Sequence, residues 1–316
     1  MPTHVLVHQF LEIGGQCYPQ GADQHVGANP AFLRDIAVGV FQGSQIEPWV
    51  ATEGVKLVAE LKDGSGYSGM YNAMVHPFVA TPIRGALWYQ GESNGGEGDT
   101  YYQKKCALIG GWRKQWNQGE FPFYFVQLAS FQSVSEDPAG GNAWTKLRDA
   151  QTKSLTIPNT GMAVITDTVP LAEAGDIHPR NKYDVGMRLA RWALGRDYGQ
   201  KDLVVSGPLF KALKIEGDKA RLAFDYTGAG LMVGKKEGRS PAVEDKNGKL
   251  KRFAIAGADK KWFWADAVID KDTVTVSCPE VKEPVAVRFA YQTNPDGANL
   301  YNRDGLPASP FRTDDW

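Results

Sequence analysis

The sequence predicts a parallel α/β sheet covered by helices, followed by a small antiparallel β domain. Up to about residue 198, short apolar runs that fit buried strands alternate with segments of helical spacing, a pattern typical of parallel sheets. Beyond about residue 199, short alternating runs separated by Gly, Asn and Asp turns indicate antiparallel strands. We therefore predict a first domain over residues 1–200, a β domain over residues 201–293 and an irregular C-terminal segment over residues 294–316.

Four apolar runs are the predicted strands of the parallel sheet, and three amphipathic segments are its predicted helices. The strands are Ala37–Phe41, Ile83–Tyr89, Phe121–Leu128 and Met162–Thr166. The helices are Tyr101–Trp116, Trp144–Leu155 and Val185–Leu194, the last with Leu189, Trp192 and Ala193 on one side. Gly195 is the predicted stop of the third helix.

Composition and charge exclude several classes of protein. A formal net charge of -1 over 316 residues gives no basic field for nucleic acid. No run approaches the roughly 18 apolar residues of a membrane span. The three cysteines, Cys17, Cys106 and Cys278, form no CxxC pair, which argues against a zinc site. The first residues lack the features of a secretory signal, so we expect a soluble chain whose compartment and oligomeric state stay open.

His178 is the first candidate for chemistry. It lies in a polar loop, Gly175–Lys182, after a predicted strand and before a predicted helix. Histidine suits proton transfer near neutral pH, and Asp176 is close enough in sequence to hold its imidazole. The same pattern fits a loop in which Asp176 only caps the following helix.

A second polar segment, Gln90–Asn94, follows the predicted strand that ends at Tyr89. Ligands of open α/β sheets bind beyond the carboxyl ends of the strands, where the amides of Gln90 and Asn94 are suited to stabilising an oxyanion. Glu92 lies between them and is a candidate for orienting a loop or a neighbour. A polar turn that satisfies its own backbone explains the segment equally well.

A third segment, Gly43–Trp49, also comes directly after a predicted strand. A glycine at this position lets a backbone N–H approach a substrate closely. An ordinary turn between a strand and a helix is the alternative.

Taken together, the three segments resemble the sialate O-acetylesterase-like branch of the SGNH hydrolases. The resemblance rests on Gly-Ser-Gln-Ile-Glu-Pro-Trp, Trp-Tyr-Gln-Gly-Glu-Ser-Asn and Asp-Ile-His-Pro-Arg-Asn-Lys, in that order. It runs from about Val38 to the end and includes Tyr71–Met74, Gly186–Ala190 and Gly305–Thr313. It implies a three-layer α/β/α, flavodoxin-like domain that removes acetyl groups from sugars such as sialic acids or xylan, with no metal or organic cofactor.

The resemblance also implies a role for each candidate residue. His178 is expected to be the general base and Asp176 its orienter, while Gln90 and the backbone N–H of Gly43 form the oxyanion hole. Glu92 and Asn94 are expected to bind the substrate. The expected partner is an acetylated carbohydrate or a small acyl ester.

The nucleophile has no matching motif in this sequence. Family members carry their serine in Gly-Gln-Ser-Asn after the first strand, and the nearest stretch here is Gly15-Gln16-Cys17-Tyr18. We therefore interpret residues 1–36 as atypical. Ser44, beside the oxyanion glycine, and Cys17 are candidate replacement nucleophiles. The alternatives, which the sequence favours, are a residue of the oxyanion loop for Ser44 and a structural role for Cys17. Otherwise His178 activates water directly, or the chain is inactive.

Two other functions remain open at this point. One is a carbohydrate-binding relic of the family, and the other is a general short-chain acyl esterase. The remaining histidines carry no signal for either function: His76 is interpreted as a packing residue, and His4, His8 and His25 do not form a metal-site pattern.

Overall fold

A computed structural model describes residues 36–38, 43–61 and 66–316, the first of these ranges by its backbone alone. Cys17 and the three N-terminal histidines therefore lie outside the described residues. The first domain is built on a four-stranded parallel sheet in the order β1-β2-β3-β4. Its strands are Ile36–Val38 (β1), Gly85–Trp88 (β2), Phe123–Val126 (β3) and Thr160–Ala163 (β4). The predicted parallel sheet is confirmed.

Helices cover both faces of this sheet. They are Thr52–Val55 (α1), Asp99–Trp116 (α2), Ala143–Lys153 (α3) and Lys182–Arg196 (α4). In β3, Phe123 and Phe125 belong to the core that includes α2 and α3, whereas Tyr124 and Val126 belong to the core that includes α4. Since successive strand residues point to opposite faces, this alternation confirms the α/β/α layering.

The boundaries of α3 and α4 follow from their N-caps and from one close contact. The side-chain oxygens of Asn142 and Asn181 accept hydrogen bonds from the first backbone N–H groups of α3 and α4. The predicted stop at Gly195 is wrong, because α4 continues to Arg196. A Cβ on Gly195 would lie 2.4 Å from a methyl carbon of Val205, so this glycine permits close packing rather than ending the helix.

Single helical turns fill the connections. Within the described part of the chain, five are 3₁₀ turns and one is a π turn at Tyr71–Val75. The 3₁₀ turns are Glu47–Trp49, His76–Phe78, Glu92–Asn94, Ser154–Thr156 and Leu171–Glu173. His76 is exposed, and its ring meets that of Tyr71 edge-on with 5.9 Å between the centroids.

The second half of the chain forms antiparallel sheets around a separate core. Its strands are Leu209–Glu216 (β5), Lys219–Asp225 (β6), Leu231–Lys235 (β7), Val243–Glu244 (β8), Phe253–Gly257 (β9), Trp262–Trp264 (β10), Asp266–Asp270 (β11), Thr273–Ser277 (β12), Pro284–Phe289 (β13), Leu300–Asn302 (β14) and Phe311–Arg312 (β15). Two sheets have the orders β10-β9-β13-β15 and β11-β12-β6-β5, and a third has the order β14-β7-β8. The predicted antiparallel character of this region is confirmed.

The C-terminal segment packs into the β region and also contacts the first half, where Oγ of Ser309 accepts a hydrogen bond from Nε2 of Gln127. Its strands β14 and β15 pair with β7 and β13 of the β region. Arg148 of α3 is buried and donates hydrogen bonds to the carbonyl oxygens of Leu128, Ala129, Gln292 and Thr293. Burial lowers the pKa of Arg148 to about 9. This side chain therefore joins the loop after β3 to the segment that precedes β14.

Candidate active site

Three polar segments leave the same edge of the parallel sheet. Gly43 lies beyond the end of β1, Gln90 follows β2, and His178 lies in the connection from β4 to α4. The carboxyl ends of parallel strands share one edge, which is where open α/β sheets bind ligands.

The first segment contains Gly43 and Ser44. Gly43 is exposed and has a φ of +76°, a backbone conformation that favours glycine. The carbonyl oxygen of Ser44 accepts a hydrogen bond from Nε2 of Gln90, at 3.1 Å. Its Oγ accepts a hydrogen bond from Nε1 of Trp49, at 2.8 Å. Among the described contacts, none joins Ser44 to His178, so the candidate nucleophile and base are not in contact here.

Gln90 is buried, and its amide is held at both ends. The hydroxyl of Tyr101 donates to the Gln90 backbone oxygen at 2.9 Å and to Oε1 at 3.0 Å. Nε2 then faces the carbonyl oxygen of Ser44 and Oδ1 of Asn94, the latter at 2.7 Å. The nitrogen end of the amide therefore points toward the backbone after Gly43.

Asn94 connects the first two segments. It is 1% exposed, and its Oδ1 accepts hydrogen bonds from Ile46 N (2.9 Å) and from Gln90. Its Nδ2 donates to Oε2 of Glu47 at 3.0 Å and to Oε1 of Glu97 at 2.8 Å. All four hydrogen-bonding positions of the amide are occupied within the protein, which leaves no group for the predicted contact with a substrate.

Close packing shapes the turn between Gln90 and Glu92. A Cβ on Gly91 would lie 2.9 Å from Cδ2 of Leu147 and 3.0 Å from Nε2 of Gln151, both on α3. The absence of a side chain lets the backbone pass close against this helix.

Glu92 lies opposite two basic side chains. Burial raises the pKa of Glu92, while the charges of Lys182 and His178 act in the opposite direction. Burial lowers the pKa of Lys182, and the charges of Glu92 and Asp176 oppose that shift. The ammonium group of Lys182 also lies 4.7 Å from the centroid of the Tyr89 ring. Glu92, Lys182 and His178 thus form one electrostatic cluster beside Gln90.

His178 and Asp176 are the most exposed members of the site, with side chains 52% and 49% exposed. Oδ1 of Asp176 accepts a hydrogen bond from the backbone N–H of His178 at 2.9 Å. The same oxygen lies 3.7 Å from Nδ1 of the imidazole, too far for a hydrogen bond. In this structure Asp176 therefore orders the loop, and its predicted contact with the imidazole needs a small rotation.

A cleft of about 730 Å³ adjoins this loop. One wall comes from residues beyond β3 and β4, including Ser130, Thr168 and Arg180, and the other from the β region, including Lys251 and Asn299. Its size lies within the range of small-molecule sites, and such sites favour the boundary between two structural units.

Several residues of this site carried no assigned role in the sequence. Lys182 and Glu47 lie inside the motif blocks, so their position in the sequence indicated that they lie near the site. Tyr101 and Lys104 lie on α2, where nothing in the local pattern marked them as neighbours of Gln90. In the described residues, no group of three His, Cys, Asp or Glu side chains is arranged to hold a metal ion. No helix among those residues is long and apolar enough to cross a membrane.

The chain is similar to carbohydrate esterases over most of its length. Residues 32–194 match the profile of a carbohydrate esterase family described as sialic acid-specific acetylesterase. The sialate O-acetylesterase of Pongo abelii is 30% identical over 299 residues, covering 85% of this chain and 55% of that protein. The human sialate O-acetylesterase is 30% identical over 298 residues with the same coverage.

A solved structure is also similar. It is a carbohydrate acetylesterase from Xanthomonas citri, with a TM-score of 0.74, 40% sequence identity, and coverage of 86% of this chain and 59% of that one. The chain thus spans little more than half the length of these relatives.

Proposed function

Because this chain belongs to the family of sialic acid-specific carbohydrate acetylesterases, we propose that it hydrolyses O-acetyl esters of carbohydrates. The observation that carries the proposal is the Gln90 amide, whose nitrogen faces the Ser44 backbone at the sheet edge that also holds His178. The histidine supplies proton transfer, and the amide supplies a donor for the negative oxygen that ester hydrolysis creates.

The proposed reaction proceeds through a tetrahedral intermediate. His178 takes a proton from the nucleophile as that group attacks the acetyl carbonyl carbon. Gln90 Nε2 and the backbone N–H of Gly43 donate hydrogen bonds to the resulting oxyanion. In the structure one hydrogen of Gln90 Nε2 points to the carbonyl oxygen of Ser44, and in the proposed reaction the oxyanion and this carbonyl oxygen share that hydrogen. The protonated His178 then donates to the leaving sugar oxygen, and water releases acetate in a second cycle. Asp176 turns toward the imidazole and stabilises its charged form.

Ser44 is the first candidate for the nucleophile. Its Oγ accepts from the Trp49 indole, which orients the hydroxyl while leaving its own hydrogen available to a base. Attack by Ser44 requires a movement that brings the loop after Gly43 to His178. Cys17 is the second candidate, and direct activation of water by His178 is the third.

The cleft beside the His178 loop is the proposed place of the carbohydrate. Arg180 lies two residues from His178 and lines this cleft, whereas His178, Gln90 and Ser44 are not among its lining residues. The proposal therefore requires the sugar to extend from the cleft past the His178 loop. Polar groups from both walls suit a ligand rich in hydroxyl groups, such as a sialic acid or a xylan fragment.

One observation favours a second candidate function. The lack of a described contact between Ser44 and His178, together with the Trp49 bond to Ser44 Oγ, fits a relic that binds carbohydrate without cleaving its esters. Such a protein is expected to bind acetylated sugar and release no acetate.

Acetate release tests these possibilities. We expect the parent protein to release acetate from 4-nitrophenyl acetate and acetylated xylan, and His178→Ala to lose at least about a hundredfold in rate. Ser44→Ala and Cys17→Ala then identify the nucleophile by which of them causes a similar loss. Lys282→Ala serves as a control at an exposed position of the β region.

The other outcomes discriminate between the rival functions. Release that matches buffer, with no effect of His178→Ala, contradicts hydrolysis, and sugar binding without release then identifies the relic. Equal rates on acyl esters of several chain lengths, with none on acetylated xylan, identify a general short-chain esterase.

A further inference from the structure

We propose that Lys104 is a positioning residue that sets the direction of the Gln90 amide through Glu47, Glu97 and Asn94. The inference rests on the proposed function, in which the nitrogen of that amide stabilises the oxyanion. It adds to the site a residue on α2 that belongs to none of the three motif blocks.

Lys104 belongs to a closed ring of four side chains, with Glu47, Asn94 and Glu97 as the other members. The Lys104 ammonium group pairs with Oε1 of Glu47 and with Oε2 of Glu97. The remaining oxygen of each carboxylate accepts a hydrogen bond from Nδ2 of Asn94, at 3.0 Å and 2.8 Å. The side chains of Lys104, Glu47 and Glu97 are 13%, 15% and 22% exposed, so water screens these charges only in part.

This ring determines which way Asn94 faces. Two carboxylates accept hydrogen bonds and donate none, so the NH₂ end of the Asn94 amide must face them. Oδ1 of Asn94 then faces the other way and accepts from Ile46 N and Gln90 Nε2. Because Oδ1 only accepts, it in turn requires the nitrogen end of the Gln90 amide. The direction set by the charges is thereby transmitted to the proposed oxyanion donor.

Lys104 favours the ionised form of Glu47. Burial acts to raise the pKa of Glu47, but hydrogen bonds from Lys104 and Asn94 outweigh it and the pKa is lowered. Without the ammonium group, two like charges would share one partly buried site, a condition that favours protonation of one of them. A protonated carboxyl donates a hydrogen bond, which favours an Asn94 amide turned by 180° so that its oxygen faces the carboxyl. The Gln90 amide then turns as well, and its oxygen replaces the nitrogen at the position where the oxyanion donor is needed.

The competing explanation is that Lys104 only anchors a loop. Both explanations predict some loss of stability when the ammonium group is removed. Only positioning predicts a loss in kcat with little change in KM, together with rescue by a side chain that keeps the charge. The experiment therefore compares Lys104→Met and Lys104→Arg with Lys114→Met, a control on the same helix whose ammonium group lies 3.5 Å from Glu53.

The readouts are steady-state kinetics with 4-nitrophenyl acetate and hydrogen exchange at the Ile46 amide, below the unfolding temperature of each variant. For Lys104→Met we expect kcat to fall about 10- to 100-fold with KM within about twofold, since an oxyanion donor is misdirected. Exchange at Ile46 should accelerate, because its acceptor is the Asn94 oxygen. Lys104→Arg should retain most of the kcat, and Lys114→Met should match the parent.

Unchanged exchange at Ile46 in folded Lys104→Met overturns the proposal, as does a kcat within twofold of an active parent. If Lys104→Met does not fold, Glu97→Gln tests the proposal instead. This substitution replaces one carboxylate oxygen, which accepts hydrogen bonds, by an NH₂ group, which donates them. Faster exchange at Ile46 in Glu97→Gln supports positioning and unchanged exchange overturns it. An inactive parent contradicts the proposed esterase function alone, since exchange at Ile46 in Lys104→Met and Glu97→Gln still decides whether the charges set the direction of the Asn94 amide.

Discussion

The two halves of the candidate site are organised in opposite ways. Around Gln90 and Asn94 the polar groups are buried, and every hydrogen-bonding position of Asn94 is occupied by the protein. Around His178 the side chains are about half exposed, and the imidazole has no hydrogen bond to Asp176. Under the proposed function, the comparison teaches that the donor for the developing charge is fixed before the substrate binds, whereas the group proposed to move protons retains freedom to rotate.

Packing explains the difference between the halves. The Gln90 turn is pressed against α3 at Gly91 and held from α2 by Tyr101. A buried polar group without partners is expensive, so burial there is compatible only with a complete network. The His178 loop crosses the surface, where water satisfies the groups that the protein leaves unpaired.

The largest expected effect is a difference in the free energy of unfolding between a variant of the buried half and a variant of the exposed half. Asn94→Ala should lower the free energy of unfolding by about 2 to 4 kcal/mol, because it leaves Ile46 N and Gln90 Nε2 without their buried acceptor. His178→Ala should lower it by less than about 0.5 kcal/mol, because its side chain is exposed. Urea unfolding measures both, with exposed Asn72→Ala as the matched control. Equal losses for Asn94→Ala and His178→Ala would contradict the comparison.

Replacing the buried Lys105, which lies on α2 near the buried half of the site, is expected to stabilise the protein. Lys105 is 0% exposed, its ammonium group has no hydrogen-bond partner among the described residues, and it lies 3.7 Å from the centroid of the Phe125 ring. Burial lowers the pKa of Lys105 well below its usual 10.5. Lys105→Met removes a buried cation site while keeping most of the volume, and should stabilise the protein by about 1 to 2 kcal/mol at neutral pH.

The sign of the pH dependence provides a further check on Lys105. Between the folded pKa and 10.5, the unfolded chain binds a proton at Lys105 that the folded chain does not. The stability of the parent should therefore rise with pH across that interval, and Lys105→Met should lose this contribution. Unfolding at several pH values with Lys146→Met as an exposed control measures the slope. A parent slope that persists in Lys105→Met would show that another group causes it.

Two glutamates should respond in opposite directions. The pKa of Glu47 is lowered on folding, so its ionised form stabilises the protein above pH 4.5 and this contribution is lost as pH falls through the folded pKa. The pKa of Glu92 is raised, so ionisation opposes folding at pH values above its folded pKa, and this cost is absent below pH 4.5. At pH 7, Glu47→Gln should cost about 1 kcal/mol, whereas Glu92→Gln should increase stability.

The measurement for these variants is urea unfolding at pH 7 and at pH 4. The difference between Glu92→Gln and the parent should shrink on acidification, because the parent then carries a neutral carboxyl as well. Losses of the same sign in both variants would show that Glu92 belongs to a stabilising network like that of Glu47.

The sequence predicted the parallel sheet because its apolar runs and the helices between them are local patterns. Strand limits shifted by one to a few residues, as in β4, where pairing with β3 begins at Thr160 rather than at the apolar run that starts at Met162. Gly195 was misjudged because the contact that explains it comes from Val205, which lies outside the helix. Local propensity does not contain a contact of that kind.

The placement of Gln90 and His178 at one edge of the sheet was predictable, because each lies in a contiguous block that follows a strand. The partners that orient Gln90 were not predictable, because Tyr101 and Lys104 come from a helix and meet the block only through folding. The complete set of hydrogen bonds to the Asn94 amide was not predictable for the same reason, since Ile46 and Glu47 come from a loop more than forty residues earlier in the sequence. A motif therefore indicates which residues gather, and the packing decides which of them remain open to a substrate.

The smallest expected effect tests the exposed half directly. Asp176→Asn retains an oxygen that accepts from the His178 backbone N–H, so stability should change by less than about 0.5 kcal/mol. The carboxylate is 3.7 Å from the imidazole and half exposed, which limits its help in stabilising the charged base, and kcat for 4-nitrophenyl acetate should fall less than about tenfold. His178→Ala, with its expected loss of about a hundredfold or more, is the comparison. If Asp176→Asn loses as much as His178→Ala, the carboxylate must close onto the imidazole when substrate binds. The exposed half would then become as ordered as the buried half during the reaction, and the contrast would describe only the unliganded protein.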